Sequence, residues 1–224
     1  MKTLVGTIAV TSSLIFGQHA FAATYDDALN AARMDDARSL SGYIDQGLLP
    51  DTVDENGNSL LLLAAREGNL KVVELLVKRG AQVGYKNPAG DSALALAALQ
   101  GHVEIVDTLL QAGAPVGNEG WTPLVYAAFN GHLAIVERMV ERGAFVDQRA
   151  PNQATALMLA ARNGHTDVVR YLLSKGADAT LENDQGRTAR SWALEKSNTD
   201  AAALIVENLK KRGIKPKPLV LEIK

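Results

Sequence analysis

The sequence has no cysteine in its 224 residues, so neither a disulfide framework nor a thiolate metal site can hold it together. It has no surplus of either charge. Its 23 Lys plus Arg against 25 Asp plus Glu leave no broad basic field, which argues against nucleic acid as a partner. It also has no nucleophile elbow, no glycine-rich phosphate loop and no paired-cysteine metal signature. Its long uncharged run, Leu4 to Gly17, falls short of the roughly 20 apolar residues that a membrane span needs.

That run follows Met1-Lys2 and leads to Ala20-Phe21-Ala22, the layout of a Sec-type signal peptide cut between Ala22 and Ala23. Residues 1–22 are therefore expected to be removed, leaving a periplasmic chain with no membrane attachment. No cysteine follows the run and no arginine pair precedes it, which sets aside a lipoprotein and twin-arginine export.

What the sequence does have is repetition. Gly47, Gly80, Gly113, Gly143 and Gly176 recur every 33 residues with one step of 30. Gly68, Gly101, Gly131 and Gly164 keep the same steps, and so do Ser59, Ser92, Thr122, Thr155 and Thr188. Each Ser or Thr suits a helix N-cap, with Pro123 preset for a first helical position. A glycine ends that helix, a second helix with apolar couples such as Ile135, Val136, Met139 and Val140 follows, and another glycine closes it. The 30-residue step has a local cause. Between Gly113 and Thr122 there are three residues fewer than between Gly80 and Ser92, so one projecting turn, Pro115 to Gly120, is short.

The Thr122-Pro123-Leu124 mark, the Gly-His pairs and the Gly-Ala pairs at this period resemble ankyrin repeats. Val125 stands where the family has His. The resemblance covers roughly residues 25 to 211 and implies an all-α solenoid of stacked helix-turn-helix units with projecting turns. The expected division is a signal peptide (1–22), an N-terminal capping repeat (23–53), four full repeats (54–182), a C-terminal capping repeat (183–211) and a basic, Pro-containing tail (212–224). Leu219, Val220, Leu221 and Ile223 of that tail could add to a partner's sheet edge, or the tail could be irregular.

His102, His132 and His165 sit at one place in successive repeats, too far apart to share a metal whose ligand bonds are about 2 Å. No catalytic residue, metal or cofactor is expected.

In ankyrin proteins the turn tips and first-helix ends share a concave face that binds other proteins, and the resemblance implies the same use here. The variable positions of that face hold Leu99, Trp121 and Phe129 at the centre, joined by Tyr126, with Arg66 and Arg162 on the flanks and Asn130 and Asn163 beside them. An aromatic centre ringed by arginines has the composition of an interface hot spot. The alternative is that Trp121 packs over the short turn and Phe129 fills a gap between first helices. The expected molecule is a monomer that binds a protein without catalysis. Exported bacterial proteins of this kind suggest two roles, immunity against an antibacterial toxin or support of a periplasmic catalase against peroxide.

Overall fold

The computed structural model describes residues 24–117 and 120–216. The expected signal peptide and its Ala22/Ala23 junction, Asn118 and Glu119 of the short turn, and Leu219 to Ile223 of the tail lie outside the described residues.

Twelve helices are present among the described residues, in antiparallel pairs. The first pair is α1 (24–33) with α2 (Ala37–Asp45). Four pairs follow: α3 (Leu60–Glu67) with α4 (Leu70–Lys78), α5 (Ala93–Gln100) with α6 (Val103–Gln111), α7 (Pro123–Asn130) with α8 (Leu133–Glu141), and α9 (Ala156–Asn163) with α10 (Thr166–Ser174). The last pair is α11 (Ala189–Glu195) with α12 (Thr199–Lys211).

Their ends follow from the marks in the sequence. The side chains of Ser59, Ser92, Thr122, Thr155 and Thr188 each accept a hydrogen bond from the backbone N–H three residues on, the N-cap geometry that satisfies an otherwise orphaned donor. Gly68, Gly101, Gly131 and Gly164 close α3, α5, α7 and α9 in the left-handed conformation, which costs glycine no Cβ clash.

First helices are built to stack. Leu60 to Ala65, Ala93 to Ala98 and Ala156 to Ala161 are buried all round, and the alanine couples let neighbouring helices approach closely. Second helices bury one stripe, such as Ile135, Val136 and Met139 in α8, and leave the other wet. First helices pack against one another more closely than second helices do, so the array curves with α3, α5, α7, α9 and α11 on its concave side. One continuous apolar core runs from Ala28 to Leu209.

Before α3, α5, α9 and α11 the chain makes a tight turn with one repeated bond pattern: the N–H of Asp54, Asn87, Ala150 and Asn183 donates to the carbonyl four residues on, while their own carbonyls accept from Gly57, Gly90, Gln153 and Gly186. Successive turns are joined. Tyr85 donates its hydroxyl to the Gly57 carbonyl (2.8 Å) and Asn87 its side-chain amide to Asn58 (2.8 Å). Arg149 reaches the Glu182 carbonyl (2.9 Å).

Several charges of the N-terminal pair have partners. The Asp35 carboxylate accepts from the Val72 N–H (3.1 Å) at the start of α4, Asp36 caps α2, and Arg33 faces Asp54 (3.6 Å). At the other end, chain expected to belong to the irregular tail is still packed. Ile214 donates its N–H to the Leu209 carbonyl and lies half-buried against the core.

Candidate protein-binding face

The histidines and the glycines before them form one mechanical part. His102, His132 and His165 stand at the N-caps of α6, α8 and α10, yet none of their side chains caps its helix. Each ring instead reaches one repeat back, where Nε2 meets the carbonyl of Arg66 (3.2 Å), Leu99 (3.2 Å) or Phe129 (3.0 Å) at the end of the preceding first helix. The ring lies where a Cβ on the preceding Gly68, Gly101 or Gly131 would fall. Asn69 and Asn198 do the same work at the two ends, donating to the Ala32 carbonyl (2.8 Å) and the Arg162 carbonyl (2.6 Å). That Asn and His share one role was hidden because their acceptors lie a whole repeat away. The register of Asn69 and Asn198 with the three histidines was the available signal.

The same carbonyls fix two residues of the expected binding face. Asn130 donates its amide to the Leu99 carbonyl (2.6 Å) and Asn163 to the Phe129 carbonyl (2.7 Å), so the amide N–H groups are held within the stack. Both residues are exposed. Leu99 and Phe129 are half-buried, and Phe129 packs against the core.

Trp121 and Tyr126 meet at the short turn. Their rings are stacked, with centroids 5.4 Å apart and planes 20° from parallel. The Tyr126 hydroxyl donates to the Asp91 carboxylate (2.9 Å) on the neighbouring turn. Burial, together with that bond and the Asp91 charge, pushes the Tyr126 phenol well above its ordinary value, so it stays a donor throughout the physiological range. Trp121 itself is half-buried and sits directly before the Thr122 N-cap. The stack holds a large amphipathic surface in one pose, which lowers the ordering cost of any contact it makes.

The flanking arginines differ. Arg66 pairs with its neighbour Glu67 (2.9 Å), both about two-fifths exposed, a pair of the kind that contributes little. Arg162 lays its guanidinium 4.9 Å above the Trp192 ring, and its Nε is buried without a hydrogen-bond partner. The structure thus brings Leu99, Trp121, Tyr126, Phe129 and Asn130 onto consecutive first-helix ends and turns at the middle of the array. It sets Arg66 one repeat before them, and Arg162 with Asn163 one repeat after.

Among the described residues no cluster of His and carboxylate side chains could hold a metal ion. No helix among them is long and apolar enough to cross a membrane. A cleft of about 360 Å³ lies on the opposite side between α6 and α8, where Arg138 pairs with Asp107 (2.6 Å).

The ankyrin-repeat family, described as ankyrin repeats in three copies, matches residues 61–150 and 145–217. The chain belongs to that family. Its fold is also that of the human ASB11 ankyrin repeat domain, seen in a crystal structure, with a TM-score of 0.78 and 25% identity over 88% of this chain and 88% of that one. A search among curated proteins finds no match. Ankyrin repeats generally mediate protein–protein interaction, and the fold is typically a non-catalytic module.

Proposed function

We propose that this chain is a periplasmic, monomeric binding protein that holds a protein partner on its concave face and performs no catalysis of its own. The observation that carries this reading is the Trp121–Tyr126 stack, a rigid and half-exposed aromatic surface at the centre of the array. Aromatic anchors of this kind dominate interface energetics when their pose is fixed before binding. Leu99 and Phe129 extend the apolar centre, and the exposed Asn130 and Asn163, with Arg66 and Arg162, supply a polar rim. The Met1-Lys2 start, apolar run and Ala20-Phe21-Ala22 site support export.

The test is capture from a periplasmic extract with tagged residues 23–224, beside a Trp121→Ala, Phe129→Ala double variant shown to be folded. A protein held by the wild type and lost by the variant is the expected result. Equal capture by both would remove the concave centre as the site. The identity of the captured protein separates the two roles: a toxin points to immunity, a catalase to peroxide defence.

A further inference from the structure

The sequence contains three Asn-Gly pairs, Asn56-Gly57, Asn130-Gly131 and Asn163-Gly164, and the fold treats them unequally. An Asn followed by Gly can modify itself, because a residue without Cβ lets its backbone nitrogen swing onto the preceding side-chain amide. Asparagine is counted among the thermolabile residues for such reasons. At Asn130 and Asn163 the leaving nitrogen Nδ2 is tied to the carbonyls of Leu99 (2.6 Å) and Phe129 (2.7 Å). There the attacking nitrogens are held too. Gly131 donates to the Ala127 carbonyl and Gly164 to those of Ala160 and Ala161, at the ends of helices packed on both sides. Reaction at either site requires a repeat to open.

Asn56 lacks the inter-repeat tie on its side-chain amide. It is exposed at the tip of the turn between Val53 and Ser59, and among the described residues its side chain makes no hydrogen bond. One turn bond, Gly57 N–H to the Asp54 carbonyl (2.9 Å), holds the attacking nitrogen itself, while Tyr85 and Pro88 of the next turn hold the Gly57 carbonyl and Cα; these are contacts between turns, and they open without disturbing the helical core.

We propose that Asn56 is a site of spontaneous deamidation in the folded protein, and that Asn130 and Asn163 are protected by the inter-repeat bonds that hold them. The Gly57 nitrogen gives its proton to solvent base and attacks Asn56 Cγ. The N–Cγ bond forms as the Cγ–Nδ2 bond breaks, and Nδ2 takes a proton from water and leaves as ammonia. Water then adds to one of the two ring carbonyls of the succinimide and breaks its bond to the Gly57 nitrogen, giving aspartate or, when the main chain reroutes through Cγ, isoaspartate. No oxidant or cofactor is needed. The rerouted chain is longer by one carbon and carries a new carboxylate close to Asp54. It displaces the Gly57 N–H from the Asp54 carbonyl (2.9 Å) and disturbs the ties from Tyr85 to Gly57 and from Asn87 to Asn58 that join this turn to the next.

The experiment incubates residues 23–224 at mildly alkaline pH, folded and in urea, and follows each Asn by peptide mapping with isoaspartate detection. In the folded protein Asn56 is expected to convert about tenfold faster than Asn130 and Asn163, near the upper end of what loss of one further hydrogen bond gives. In urea the three should converge. An Asn56→Gln variant should abolish the fast component. Comparable folded rates at all three sites, or an intact Asn56 in the folded protein with conversion only in urea, would overturn the proposal.

Discussion

At the scale of single residues, glycine does two different jobs here. Gly143 ends α8 at φ +84°, and a Cβ there would meet nothing within 4 Å. Gly131 ends α7 at φ +76°, but a Cβ there would lie 2.5 Å from the His165 ring. Gly143→Ala should cost about 1–2 kcal/mol for the left-handed backbone alone. Gly131→Ala carries the same cost and must also push the imidazole off the Phe129 carbonyl, so its loss in denaturant midpoint should be clearly larger. Equal losses would mean that the His165 contact yields cheaply. The position of each glycine was legible from its period. The reason for the second job was not, since nothing local reveals that a ring from the next repeat fills the space.

At the scale of elements, the helices were readable because each carries its own punctuation: a hydroxyl to open, a glycine to stop, and apolar couples between. The turns were less so. Asp54, Asn87 and Asn183 accept from the backbone of their own turns through Oδ1, while Ala150 cannot, and Asn152 bonds the Ala154 N–H instead. Asp54 is 8% exposed. Burial alone would raise its pKa, but bonds from Asn58 and Asn56 and the Arg33 charge outweigh it and hold the carboxyl below its ordinary range. A folded pKa below the unfolded one gives stability that is present above the unfolded pKa and lost as pH falls through the folded value. The Asp45 carboxyl, bonded to Arg79, and the Asp178 carboxyl, bonded to Thr180, are lowered in the same direction. The midpoint of thermal unfolding should therefore fall on acidification below about pH 4. Asp54→Asn keeps an Oδ1 acceptor, as Asn87 and Asn183 do, so its turn should persist while the acid-dependent loss shrinks. A variant that loses stability in acid as steeply as the wild type would show that Asp54 is not a source of that dependence.

At the scale of the whole molecule, a row of like units is interrupted once, between Gly113 and Thr122, and Trp121 and Tyr126 stack beside that interruption. The gap was visible as a broken period. That Trp121 and Tyr126 would stack, and that Asp91 of the previous turn would anchor the pair, depended on how two repeats meet and could not be read from either one. The Trp121 ring packs on Tyr126 and remains half-exposed, a geometry compatible with either reading. Binding and packing are then separated by energy. Leu124 is 1% exposed, and Leu124→Ala should cost about 2–5 kcal/mol of folding stability through the cavity it leaves.

The most direct measurement is the affinity of the captured partner for wild type, Trp121→Ala and Phe129→Ala by titration calorimetry, with thermal unfolding of all three beside Leu124→Ala. The account predicts a loss of about 2 kcal/mol or more of binding for each aromatic variant, with far less folding stability lost than for Leu124→Ala. Unchanged affinity, or unfolding comparable to that of Leu124→Ala, would contradict it and make the two aromatics part of the packing alone.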